Sequence, residues 1–362
     1  MPPFPAACRP VLIGSLPETD HRQAMQLITA HSPEIPLWPQ LPKLPREGMI
    51  RQFLSGFPGL VEEGGKFWVA ADREDFPKKM TSFYEEYLRV SADPDQLGTS
   101  RFALGRDTAP GFFTLLDSLG ASPRLPFTVK GQVTGPITAG IGLKDHQGHP
   151  AIYDDNLRDI LIKLLALKGR WQAAILQRYT GSMPPLIFID EPGMVGFGAG
   201  GFDGISAEMV KSAVNRVIDE IHAGGGLAGI HICANGDWGP ALDSTTDIIS
   251  FDAYSYFDNF ILYREPLCRF LRRGGILAWG IIPTGDPQAV LNESTTSLFA
   301  RWLEQLDRLA ALGFSRRQLM SQTLIAPSCG TGSLLPELAE KVLAMTSSLS
   351  TLARKALAQS ES

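Results

Sequence analysis

Two short stretches carry most of the chemistry this sequence can offer: Ile-His-Ile-Cys at 230–233 and Ser-Cys-Gly at 328–330. Each closes an apolar run. Residues i and i+2 of a strand point the same way, so His231 and Cys233 can aim at one point. Imidazole and thiolate are the preferred ligands of zinc, and Cys329 supplies a second thiolate. A lone His-x-Cys is more often core packing, because cysteine behaves as a small buried hydrophobe. The ends of the other strands therefore have to decide. The chain has only four cysteines. Cys8, in the N-terminal tail, and Cys268, mid-helix among apolar neighbours, keep the packing reading. Four cysteines over this length make no disulfide framework, so a reducing cytoplasm is expected and the thiols are free to ligate.

The elements that must position these groups alternate along the chain. Short apolar, β-branched runs read as strands: the 11–17 region, 34–41, 125–136, 185–192, 227–233, 247–254, 276–284 and 320–330. Longer runs with helical spacing lie between them. One has Leu157, Ile160, Leu161, Leu164 and Trp171 on one face, with Asp155 as its expected cap. Runs at 206–226 and 260–275 end in glycines, as helices do. Eight strand–helix units in 362 residues predict an α/β chain forming a single (β/α)8 TIM barrel over residues 1–362. The 34–125 region does not fit the repeat. Rich in proline ("WPQLPKLPRE") and in added helical runs, it predicts an insertion over one barrel face, as lids often are.

Barrels of this kind gather their functional groups at the C-terminal ends of the strands. Those ends supply Gly14 and Ser15, Gln40, Thr134, Asp190 and Glu191, His231 and Cys233, Asp252, Thr284 and Cys329. Two thiols, one imidazole and one carboxylate on one face make a tetrahedral zinc set. Other classes are argued against. The net charge of −5 with no basic stripe speaks against nucleic acid. The N-terminus lacks the apolar core of a signal peptide, and no apolar run approaches the ~18 residues of a membrane span. The run "GFGAGG" (196–201) matches a dinucleotide fingerprint but stands apart from its strand, so it reads as a glycine loop. "KDHQGH" (144–149) reads as a hairpin turn.

The ordered set "LIGSLP", "TGP", "FIDEP", "HIC", "DIISFDAY" and "APSCG" resembles the catalytic barrel of cobalamin-independent methionine synthase. The superfamily also holds uroporphyrinogen decarboxylase and the methylcobamide:coenzyme M methyltransferases. The resemblance runs from about residue 11 to 345 and is weakest at 34–125. It implies Zn2+ on His231, Cys233 and Cys329, with Asp252 where the family has a glutamate. It implies acceptor contacts from the backbone of Ile13, Gly14 and Ser15 and from Asp190, the expected catalytic carboxylate. Glu191 would add negative charge for an ammonium group. A further family glutamate has Gln40 or Glu47 as its replacement. The activity implied is S-methylation of homocysteine or another small thiol. Folate as donor would need a general acid, and His231 is the last histidine in the chain. The short "core" synthases suggest a methyl-corrinoid protein instead, because cobalt(I) leaves without a proton. With folate, Asp237 or Asp286 would have to serve as acid. A coenzyme M-type methyltransferase, a decarboxylase and a non-catalytic zinc protein are the rival expectations.

Overall fold

The computed structural model describes residues 4–181, 183–196 and 204–359. Its strands are β1 (Arg9–Pro10), β2 (Leu60–Glu63), β3 (Lys66–Val69), β4 (Lys130–Thr134), β5 (Leu186–Asp190), β6 (Leu227–Ile232), β7 (Ile248–Phe251), β8 (Ile276–Ile282) and β9 (Thr323–Pro327). Seven of them form one curled sheet in the order β1-β9-β8-β7-β6-β5-β4, every pairing parallel. Helices connect successive strands and cover the outer face, as parallel pairing requires. Leu186, Phe188, Ile248, Ala278, Leu324 and Ala326 pack against one another on the inner face. The larger apolar cluster lies between strands and helices.

Among the described residues, the eight regular strands expected from the sequence are seven, and the ladder does not close. The missing one is 34–41, and its prolines are the reason. Pro36 and Pro39 have no N–H to donate, so a continuous ladder cannot form. What remains is two isolated parallel bridges, Leu37 to Lys130 and Ser15 to Gln40. Lys130 N donates to Pro36 O at 2.9 Å, and Gln40 N donates to Gly14 O at 3.1 Å. Side chains do the rest. Trp38, fully buried, donates its indole N–H to Gln172 Oε1 at 3.0 Å, and Gln132 Nε2 donates to Trp38 O at 3.0 Å. The first strand is also shorter than expected. Only Arg9–Pro10 is regular, with Val11 N still donating to Ile325 O.

The insertion holds the antiparallel β2–β3 hairpin and helices Phe76–Ala92 and Pro110–Ala121. The helix at Asp155–Leu176 is capped one residue earlier than expected. Asp154 has the extended backbone of a cap and accepts from Asn156 N and Leu157 N, whereas Asp155 is already helical. The run at 260–275 is in fact the end of one helix, Ala253–Phe260, and a second, Arg264–Arg272.

Candidate metal centre and adjoining cavity

Register builds the site. Thr134 lies opposite Asp190, Asp190 opposite His231, and His231 opposite Ser250, so four polar side chains share one level across β4 to β7. His231 is buried, and its Nδ1 lies 2.9 Å from Ser250 Oγ. Its Nε2 is buried with no hydrogen-bond partner. An orphaned buried polar atom is costly, on the order of 1–3 kcal/mol, and calls for an explanation. Here the explanation is close by: ligand atoms of His231, Cys233 and Cys329 all lie within 4.8 Å of one another. A metal ion bound there would satisfy Nε2, with Ser250 fixing the ring through its other nitrogen. Among the described residues this is the one such group.

Cys233 immediately follows β6, and Cys329 sits two residues past the end of β9. The turn carrying Cys329 is pinned by Ser328, whose N–H donates to Ile282 O at 2.8 Å and whose Oγ accepts from Thr284 N at 3.1 Å. Gly330 lets that turn approach the first strand's end, since a Cβ there would sit 2.0 Å from Ser15 Oγ. The two thiol sulfurs lie within 4.8 Å of each other. Cys233 is held well below the usual thiol range, first by the hydrogen bond from Cys329 and then by His231, and the same contact pushes Cys329 up. A thiolate beside an imidazole is the form in which metals are bound.

The cluster opens into a cavity of about 260 Å3. Ile13, Ser15, Gln40, Glu47, Asp190 and Met49 line it together with His231, Cys233 and Cys329. Asp190 is 6% exposed, and its Oδ1 has no partner. Burial raises its carboxyl above the usual range, while His231 and Lys130 oppose the rise. Glu47 is 3% exposed and accepts from Leu41 N at 3.1 Å. Among the described residues, no lysine or arginine lines this cavity.

Several expected site residues are elsewhere. Glu191 does not line the cavity. It is fully buried, and it accepts from Ile137 N at 2.9 Å, Thr138 N at 2.8 Å and Thr138 Oγ1 at 2.7 Å, sealing the N-terminus of helix Pro136–Gly142. Adjacent strand residues face opposite ways, so Asp190 and Glu191 could not both face the cavity. Asp252 is outside the His-Cys-Cys group. Its Oδ1 accepts from Ser255 N at 2.8 Å as the cap of helix Ala253–Phe260. Gly14 does not line the cavity. It backs onto Gln40 and Gln132, with φ at +151°, and its carbonyl is taken by Gln40 N. Asp237 and Asp286 each spend an oxygen on a backbone N–H, of Gly239 and Gln288, and neither lines the cavity.

The packing cysteines are as expected: Cys8 is buried, its thiol pushed up to about 12 by burial, and Cys268 packs on the Arg264–Arg272 helix. "KDHQGH" is a turn, with Asp145 accepting from Gln147 N and His149 N. The "GFGAGG" loop falls, apart from Gly196, outside the described residues.

Sequence reasoning missed Lys130. It is fully buried inside the sheet, donates to Ile13 O, and lies 4.5 Å from the centre of the Phe188 ring. Burial lowers its ammonium to about 8, and Asp190 opposes that shift. The signal was present: Lys130, Gln132 and Thr134 alternate on one face of β4, and a lysine on an inward face needs an anion.

In comparisons with known proteins, no protein-family model matches the chain, and no curated protein matches it significantly. The resemblance described above therefore rests on the ordered motifs themselves.

Proposed function

We propose that this chain is a zinc-dependent thiol S-methyltransferase that forms methionine from homocysteine with a methyl-corrinoid protein as donor. We read its curled sheet as an eightfold barrel whose second strand, 34–41, is reduced to bridges. The observation that carries the reading is the unpartnered His231 Nε2, grouped with two thiols and opening on a cavity that holds a second unpartnered atom, Asp190 Oδ1.

His231, Cys233 and Cys329 would hold the zinc. Three protein ligands leave the fourth position for a substrate, the pattern of catalytic rather than structural zinc. Bound there, the ion supplies deprotonation of the acceptor thiol at neutral pH while its thiolate ligands keep that sulfur nucleophilic. The chain's own groups do the rest. Asp190 Oδ1 accepts from the acceptor's ammonium, and Glu47 adds a second negative charge to the same cavity. Lys130, from beneath, opposes the rise that burial gives the Asp190 carboxyl. Ser250 holds His231 in register. A sulfonate acceptor of the coenzyme M kind would need a fixed cation, and among the described residues no lysine or arginine lines the cavity. A folate nitrogen would need a proton source, and neither Asp237 nor Asp286 lines the cavity. Cobalt(I) needs none, which favours the corrinoid donor.

The test is zinc content followed by methyl transfer. One zinc per chain is expected, with most of it lost in Cys233→Ser and Cys329→Ser. Methionine should form from methylcobalamin and homocysteine, and 5-methyltetrahydrofolate should stay near background, since general acid catalysis contributes about 10²–10⁴-fold. Full zinc retention in both variants would refute the centre. Faster turnover from the folate would refute the donor.

A further inference from the structure

Glu47 reaches the cavity from a short 3-10 turn, Pro45–Glu47, within the proline-rich insertion. Such a turn has no ladder to fix its side chains. Yet the Glu47 carboxylate is held at both oxygens. Leu41 N donates to Oε2, and His21 Nε2 lies 2.8 Å from Oε1. His21 is the first residue of helix His21–His31, whose cap Asp20 accepts from Arg22 N and Gln23 N. Its ring is also packed. A Cβ on Gly111, at the start of helix Pro110–Ala121, would lie 3.3 Å from His21 Cδ2 and 2.0 Å from Pro39 O. The ring is thus wedged between two helices, while only Glu47, and not His21, lines the cavity.

From this geometry we infer that His21 is a positioning residue for acceptor recognition, holding Glu47 so that its charge faces the acceptor's ammonium group. The inference rests on the methyltransferase reading above, and it assigns a role to a residue outside the cavity. With a proton on Nε2, the imidazole donates to Glu47 and fixes its direction. Asp190, by contrast, comes from a regular strand and needs no such brace. The acceptor site therefore has one carboxylate fixed by the sheet and one fixed by a histidine.

The test compares two thiols that differ only in the amine: L-homocysteine and 4-mercaptobutyrate. Their dissociation constants for the zinc-loaded protein are measured by calorimetry, and kcat is measured with methylcobalamin. Loss of one hydrogen bond to a charged group predicts that His21→Ala weakens homocysteine binding about tenfold to a hundredfold. Binding of 4-mercaptobutyrate, kcat and zinc content should stay as in the parent. His21→Gln places an amide N–H near the position of Nε2 and should restore most of the affinity, whereas the shorter His21→Asn should not. That pair keeps the test decisive if the alanine variant does not fold. Equal weakening of both thiols, or identical behaviour of the glutamine and asparagine variants, overturns the inference. A parent protein that binds both thiols equally refutes amine recognition by the cavity carboxylates, and the role of His21 with it. A parent that discriminates, with His21 variants that discriminate equally well, removes only the role of His21.

Discussion

Replacing Glu191 by alanine separates two roles that a carboxylate beside the cavity could play. As an acceptor contact, its loss would weaken thiol binding and leave the fold alone. The structure predicts the reverse. Glu191 is fully buried and receives three donors, two backbone N–H groups and one hydroxyl, at the start of helix Pro136–Gly142. Gly135 is there to admit it, since a Cβ on Gly135 would lie 2.0 Å from Glu191 Cδ. Truncation leaves those donors without acceptors in a site water does not reach, at about 1–3 kcal/mol each. Allowing for partial relaxation, the expected loss is about 3–6 kcal/mol, a large share of the ~5–15 kcal/mol that holds a typical domain together. At about 2 cal/mol/K of unfolding entropy per residue, that lowers the melting temperature of a chain this long by roughly 4–8 °C. Thermal unfolding of the zinc-loaded variant measures it, and calorimetry with homocysteine on the folded protein should return the parent's affinity. A melting temperature within about 1 °C of the parent, together with weakened thiol binding, would refute this assignment and return Glu191 to the acceptor site.

Asp252→Ala should keep its zinc and lose about 1 kcal/mol of stability, the usual cost of removing a helix cap; zinc loss comparable to that in Cys233→Ser would make it a ligand after all. Asp190→Asn should weaken homocysteine binding by about tenfold or more while leaving 4-mercaptobutyrate little changed, because the unpartnered Oδ1 loses its charge; equal losses would make Asp190 a partner of Lys130 alone. His222 is raised above its ordinary value, chiefly by its hydrogen bond to Asp247 at 2.7 Å. Because its folded value exceeds its unfolded one, the pair's stabilisation is fully present below the ordinary imidazole range and is lost as pH rises through the raised value. The melting-temperature deficit of His222→Ala should accordingly be larger at about pH 5.5 than at about pH 8, and a deficit that grows with pH would contradict the assignment.

Much of this protein was legible in its sequence, because strand alternation and helical periodicity are local properties. Short apolar runs mark β4 to β9, and the i, i+2 rule alone brings His231 and Cys233 to one side. The end of the last strand adds Cys329, and the fourth apolar run ends on Asp190. Prolines in 34–41 were equally visible, yet their consequence depends on what lies on either side. Only the folded sheet shows that Trp38, Gln132 and Gln172 replace the ladder hydrogen bonds those prolines remove.

Tertiary structure alone decided how the acidic residues at the strand ends are used. Asp190, Glu191 and Asp252 look alike in sequence. One of them faces the cavity, and the other two are consumed by helix N-termini whose N–H groups need acceptors. Lys130 beneath Asp190, Ser250 behind His231 and His21 behind Glu47 are interactions between residues 19 to 60 positions apart, the first through charge and the others through hydrogen bonds. Such pairs follow from strand register and loop packing. The residue types at a site are local in sequence, but the partner that sets each one's charge and direction is chosen by the fold.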